Sequence, residues 1–254
     1  MYNPYDFTDK KILVTGASSG IGRAVAIALS KQGATVAIIA RNEQRLDETL
    51  SQMDGDGHCK ICVDLAETED LTNVFKEVVS DGQKLNGLVH CAGIAQIETI
   101  KMLNRKRLDN YMRTNYYSFL ELISQYSKKK FNDGGSIVGI SSIASVNPSK
   151  CQTIYAATKA SMNISAEALS MELAPKNIRI NTVMPGFVKT PMFDNGFESD
   201  SFGSTDYLEN DLKQQLLGVT LPEEIANVCM FLLSDASSCI TGRTLYADSG
   251  YKLG

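Results

Sequence analysis

The residues most able to do chemistry are Tyr155 and Lys159, in the stretch Tyr155-Ala156-Ala157-Thr158-Lys159. Four residues apart on a helix, the two side chains share one face, one turn apart. A free phenol ionises near pH ~10, too high for ready proton exchange at neutral pH. Bringing it near 7 takes roughly 3 units, or about 4 kcal/mol. An ammonium about 4 Å away supplies that much at an intermediate effective dielectric. The pair is therefore a candidate general acid/base. On spacing alone such a pair is nearly always a helical tyrosine beside a surface lysine.

The elements before it give the pair a context. Lys11-Ile12-Leu13-Val14 is a short apolar run that reads as a buried strand. Thr15-Gly16-Ala17-Ser18-Ser19-Gly20-Ile21-Gly22 follows, and then Ile21, Val25, Ala28 and Leu29 at helical spacing. A glycine-rich turn between strand and helix is the setting of a dinucleotide site. Glycines let the backbone approach a pyrophosphate, and the helix N-terminus offers free N–H groups. Thr35 to Ala40 is a second strand, ending in Ala40-Arg41 where NAD-binding units carry an acid. An arginine there pairs with a 2′-phosphate, which favours NADP.

Further strands are expected at Ile61–Val63, Leu88–Cys91, Ile137–Ile140, Ile178–Met184 and Thr244–Ala247. Between them lie helices around Leu71–Val79, Tyr111–Tyr126, Thr153–Ala174 and Ile225–Leu233. Uninterrupted alternation implies a doubly wound parallel sheet of about seven strands with helices on both faces. No internal linker divides residues 1–254, so one Rossmann-type domain is expected. Gly16, Arg41, Asp64, Gly93, Ser142 and Gly186 all fall just past strand ends, where such a sheet binds ligands.

Composition excludes other classes. The chain has 254 residues, 43% hydrophobic and 21% charged, as an ordinary globule requires. A net charge of -4 argues against nucleic-acid binding. The longest basic run, Lys128-Lys129-Lys130, suits the C-terminal end of a helix. No apolar run is long enough to span a membrane, and the first residues do not read as a signal peptide. Six scattered cysteines then read as reduced thiols of a cytoplasm. Cys59 and Cys62 match C-x-x-C beside His58, but on a strand they face opposite sides and no second ligand pair follows, so no metal is expected. With only His58 and His90 present, a Ser-His-Asp triad has little to draw on.

In this order and spacing, the motifs resemble those of the short-chain dehydrogenase/reductase family over nearly the whole chain. The resemblance is carried by residues 15–22, Cys91-Ala92-Gly93, Asn115, Ser142, Tyr155 to Lys159 and Pro185-Gly186-Phe187-Val188-Lys189-Thr190. It implies that Tyr155 donates a proton to a carbonyl and that Lys159 lowers the Tyr155 pKa and holds the nicotinamide ribose. Ser142, thirteen residues before the tyrosine, would hold the substrate oxygen, and Asn115 would support a water in the relay. The nucleotide would lie on Gly16, Ser18, Ser19, Gly20, Ile21 and Gly22, with Arg41 and Asn42 at a 2′-phosphate. Asp64, Leu65 and residues 91–93 would flank the adenosine; Pro185, Gly186, Val188 and Thr190 would cover the nicotinamide and pyrophosphate. The chain departs from the family in three places, one being Ser19, where some NADP-using members carry a basic residue. His90 and Cys91 replace asparagines thought to brace the sheet, and Asp248-Ser249-Gly250 replaces an acid-Gly-Gly.

A polar segment over about 191–218, with Met192, Phe193, Phe197 and Phe202, suits a substrate lid. Gln96, Val146, Lys150 and Phe187 are candidate pocket residues. The helices carrying Tyr116 to Ile123 and Ala157 to Met171 are apolar on more than one side. With the family likeness, that implies a homodimer or homotetramer. The expected activity is NADP(H)-dependent hydride transfer between a nicotinamide and a small carbonyl or secondary alcohol. It is similar to that of 3-oxoacyl-carrier-protein reductases, with a carrier-linked substrate as one option. A sugar or polyol dehydrogenase is the alternative enzyme, and a non-catalytic NADP sensor the alternative class.

Overall fold

The computed structural model describes residues 3–67, 70–96, 98–198 and 212–251, with main chain only at 195–198. Seven parallel strands form one sheet in the order β3-β2-β1-β4-β5-β6-β7. They are β1 Lys11–Thr15, β2 Thr35–Ala40, β3 Cys59–Cys62, β4 Leu85–His90, β5 Asn132–Ile140, β6 Ile178–Pro185 and β7 Thr244–Ala247. Every residue of β1 is buried, as a strand covered on both faces requires.

Alternation along the strands builds two cores. Ile12, Val14, Val36 and Ile38 face one layer with Val25 and Leu29 of α1 (Gly20–Lys31). Ile225, Cys229 and Leu232 of the last long helix, Pro222–Leu233, complete that layer. Leu13, Ala37 and Ile39 face the other, with Val74 and Phe75 of α3 (Leu71–Val78). Helix α2 (Glu43–Leu50) starts on Asn42, whose side chain accepts from Arg45 N–H at 2.9 Å, and α3 starts on Asp70 in the same way.

The helix expected over 111–126 begins earlier and is not uniform. Helix α4 (Arg105–Tyr111) runs through a wide π turn, Met112–Tyr117, into α5 (Ser118–Tyr126). The extra residue per turn rotates the side chains that follow it, a device common at functional sites. Helix α6 (Thr153–Leu173) buries Ala156, Met162 and Ala166 yet leaves Ile164 65% and Met171 74% exposed. Helix α7 spans Pro191–Glu198, and the Pro222–Leu233 helix is named α8.

The order reverses between β1 and β4. The crevice at their carboxyl ends is where such a sheet opens to ligands.

Candidate active site

A cleft of about 460 Å³ runs across this edge of the sheet. At its nucleotide end, α1 begins after Ser19, whose side chain does not cap the helix, and no acid stands in the first turn. The first N–H groups are thus left to face the cleft with the positive end of the helix dipole. Gly16 holds φ +66, and a Cβ there would sit 2.7 Å from Ala92 N. The turn is pinned from behind. Arg23 Nη2 donates to Ser18 O at 2.6 Å and pairs with Glu48 at 3.0 Å, while Thr49 Oγ1 donates to Ala17 O at 2.8 Å.

Open amides, a glycine turn that leaves no side chain in the way and no local acid together fit a nucleotide pyrophosphate. Beyond it, Arg41, Asn42, Asp64 and Leu65 line the cleft, with Arg41 Nη1 3.5 Å from Asp64 Oδ2. Arg45 lines it too. The sequence reading passed over Arg45, although its position one helical turn beyond Arg41 was a usable signal.

At the other end stand Ser142, Tyr155 and Lys159. The Ser142 side chain hydrogen-bonds the Tyr155 hydroxyl and also accepts from Ala144 N–H at 3.2 Å. Lys159 behaves otherwise than expected. Its Nζ donates to Ile140 O at 2.6 Å and lies 5.9 Å from the Tyr155 ring centre. Burial lowers Lys159 from 10.5 to about 8. Burial raises the Tyr155 hydroxyl above its ordinary value, and the Ser142 bond alone pulls it down. The expected influence of Lys159 does not appear among those acting on the Tyr155 hydroxyl, which are burial and the Ser142 bond. One donor of the ammonium is on a strand-end carbonyl, and burial disfavours the phenolate.

Asn115 is fully buried and does not touch the cleft; its neighbour Thr114 does. Its Oδ1 accepts from Ile94 N–H at 2.8 Å, and its Nδ2 donates to Ile94 O at 3.0 Å and Thr158 Oγ1 at 3.1 Å. Thr158 Oγ1 in turn donates to Tyr155 O at 2.7 Å. The π turn thus aims Asn115 backwards, to tie the β4–α4 loop to the main chain of Tyr155. Thr158 was another residue missed; it lies within the Tyr155–Lys159 stretch, but nothing in its spacing showed that its hydroxyl turns inward.

The remaining candidates Gly20, Ile21, Gly22, Cys91, Ala92, Gly93, Pro185, Gly186, Val188 and Thr190 all line the cleft, as do Gln96, Phe187, Met192 and Phe193. Val146 is 56% exposed, and it and Lys150 lie outside the lining. Of the expected lid, Phe202 falls outside the described residues, and so does the side chain of Phe197.

Two of the departures from the family pattern, His90 and Ser249, have a visible structural role. His90 sits opposite Thr15 in the β1/β4 register, and its Nδ1 lies 3.0 Å from Thr15 Oγ1, which accepts from Ala92 N–H at 3.3 Å. Burial and Lys159 push His90 down to about 3, so it braces the sheet as a neutral ring. Ser249 adopts φ +53, a left-handed conformation suited to glycine, and its hydroxyl meets Thr220 Oγ1 at 2.8 Å. Nearby, buried Gln215 clamps the 186–190 loop, accepting from Phe187 N–H at 2.8 Å and donating to Phe187 O at 3.0 Å. The C-x-x-C pair is unbridged. His58 instead accepts from Val36 N–H at 3.0 Å, and no metal-binding group is found among the described residues.

A family model described as enoyl-(acyl carrier protein) reductase matches residues 16–252. The chain belongs to the short-chain dehydrogenase/reductase family. Curated relatives of the family include the L-xylulose reductase of Caenorhabditis elegans, 36% identical over 259 residues and covering 97% of each chain. A 3-oxoacyl-(acyl-carrier-protein) reductase of Chlamydia trachomatis is 34% identical, over 95% of this chain and 97% of its own. A solved short-chain dehydrogenase/reductase of Serratia marcescens superposes with a TM-score of 0.85 at 28% identity, over 97% of this chain and 99% of that one. The chain is an oxidoreductase of this family, acting between CH–OH and C=O with a nicotinamide cofactor. None of its described helices is long and apolar enough to cross a membrane.

Proposed function

We propose that this protein is an NADP(H)-dependent carbonyl reductase of small molecules. The observation that carries the reading is the single cleft, which joins the open N-terminus of α1 to the Ser142–Tyr155 pair. Arg41 and Arg45 at its outer rim, with no acid at the end of β2, support a 2′-phosphate and hence NADP(H) over NAD(H).

A bound nicotinamide supplies the hydride in reduction and accepts it in oxidation. Tyr155 hands its hydroxyl proton to the substrate oxygen in reduction and takes it back in the reverse direction. Ser142 orients both the Tyr155 hydroxyl and that oxygen. Asn115 acts through Thr158, fixing the main chain from which Tyr155 projects. Lys159 holds a positive charge at the end of β5 and offers further N–H donors to the nucleotide ribose.

Two substrate families have relatives of similar identity, 3-oxoacyl thioesters on a carrier protein and pentuloses. Exposed Tyr117, Ile164 and Met171 on the outer sides of the π turn and α6 support a homodimer or homotetramer. Six free cysteines suit a cytoplasmic setting. The segment 191–218 serves as the lid. The deciding experiment is NADPH oxidation across a carbonyl panel, with Tyr155→Phe as control. Turnover that falls about a thousandfold in the variant is expected. Nucleotide binding without turnover, unchanged by the substitution, would identify a sensor instead.

A further inference from the structure

We infer that the substrate end of the cleft selects an uncharged, polyhydroxylated carbonyl compound of sugar size, with Gln96 and Gln152 as its specificity-determining residues. The inference rests on the reductase reading above. It comes from the two loops that meet beside Tyr155.

The first loop, after β4, is held by a buried tyrosine. Tyr111 Oη accepts from Gln96 N–H at 2.7 Å and donates to Gln96 O at 2.9 Å. The second loop, before α6, is tied to the first where Glu98 N–H donates to Cys151 O at 3.0 Å. Gln152 is fixed by its own side chain, whose Oε1 accepts from Ser149 N–H at 3.0 Å, and by Ala156 N–H on its carbonyl at 2.8 Å. Two carboxamide residues thus stand on one braced frame, and both line the cleft. A carboxamide offers two donors and an acceptor, which complements hydroxyls that donate and accept.

Among the described residues, little charge reaches this end. The charged residues lining the cleft are Arg41, Arg45 and Asp64 at the nucleotide end, and Lys159, whose Nζ faces Ile140 O. Glu98 belongs to the loop, but it is buried and paired with Arg107, and it does not line the cleft. Among the described residues Lys159 is the one lining cation beside Tyr155, and its Nζ is turned to Ile140 O, so a substrate carboxylate or phosphate would lose its hydration for little return. An alkyl chain would strip water from the two amides and return no hydrogen bond. Phe187 and Tyr251, edge to face at 5.8 Å, also line the cleft and add an apolar surface suited to the C–H face of a sugar.

The test compares xylulose, pentan-2-one and an acetoacetyl thioester as substrates with NADPH, in the wild type, Gln96→Leu and Gln152→Leu. Xylulose should exceed pentan-2-one by about 100-fold or more in kcat/KM, because a site built for hydroxyls rejects their absence strongly. Each substitution should raise the xylulose KM about tenfold with kcat nearly kept, and leave the pentan-2-one KM and the NADPH dissociation constant unchanged. Preference for the thioester, or equal effects on both ketones, would overturn the inference and leave the reductase reading intact. Calorimetric titration of xylitol reads the amide wall without turnover. Binding lost in both variants supports the inference, and no binding in the wild type rejects it. NADPH binding with no reduction of any substrate would instead break the reductase reading.

Discussion

The two ends of the cleft are built from different materials. The nucleotide end is main chain. A glycine turn and the first turn of α1 present N–H groups, and side chains such as Arg23 and Thr49 work from behind to hold them still. The chemical end is side chain. Ser142, Tyr155 and Lys159 come from a loop and a helix, and Asn115, Thr158, Tyr111 and Gln215 brace the loops beside them. A pyrophosphate has fixed geometry and charge, so a backbone cradle serves it whatever the substrate. Proton transfer needs particular groups at particular distances, and those are set by contacts far apart in sequence.

Predictions can break this contrast or refine it. The largest effect is expected from Lys159→Met, which should lower turnover about a thousandfold, or about 4 kcal/mol at the barrier. It should also make the fold more stable. Lys159 is a base whose folded pKa is depressed from 10.5 to about 8. The folded state therefore binds fewer protons than the unfolded chain between those values, so stability rises with pH across that window and carries a constant penalty below it. That penalty, roughly 3 kcal/mol, is relieved in the variant, while Ile140 O is left without its buried donor at a cost of about 2 kcal/mol. Urea melts at pH 7 should show a net gain of about 1 kcal/mol. A large destabilisation would mean that the lysine is a structural tie and not a strained functional group.

At the other end, Arg41→Asp should shift the NADP/NAD preference about 10–100-fold toward NAD, the worth of one charge-assisted contact turned repulsive. Paired dissociation constants would measure it. No shift would transfer the 2′-phosphate to Arg45. The pH profiles should separate the two directions of the reaction. Because burial raises Tyr155, alcohol oxidation needs a phenolate that is scarce at neutrality, and its rate should climb about tenfold from pH 7 to 8. Carbonyl reduction uses the protonated form and should stay flat over that range. An oxidation rate already level at pH 7 would restore the lowered acidity expected from the sequence. The smallest effect belongs to Ser249→Gly. Relief of the left-handed backbone, about 1 kcal/mol, is offset by loss of the hydroxyl contact with Thr220 at 2.8 Å, so the melting temperature should move by only a few degrees.

Much of this was legible beforehand because it is local. Residues 11–22 alternate from buried strand to glycine turn to helix within a dozen positions, and every expected nucleotide residue faces the cleft. The Tyr155–Lys159 spacing likewise placed both side chains on one wall. The partner of Lys159 was not legible, since Ile140 O lies nineteen residues away across a strand end. Nor was the direction of Asn115, which depends on an extra residue accommodated in a π turn.

The sequence by itself determined the alternation of strand and helix, the glycine cradle and the shared wall of Tyr155 and Lys159, because hydrophobic period, helical spacing and backbone freedom act between near neighbours. Only the tertiary structure decided which groups are desolvated and what they touch. Burial lifts Tyr155, lowers Lys159 and neutralises His90, and it does so through surfaces supplied by several strands and helices at once. Electrostatic energy depends on the whole surroundings of a charge, and no stretch of chain contains its own surroundings.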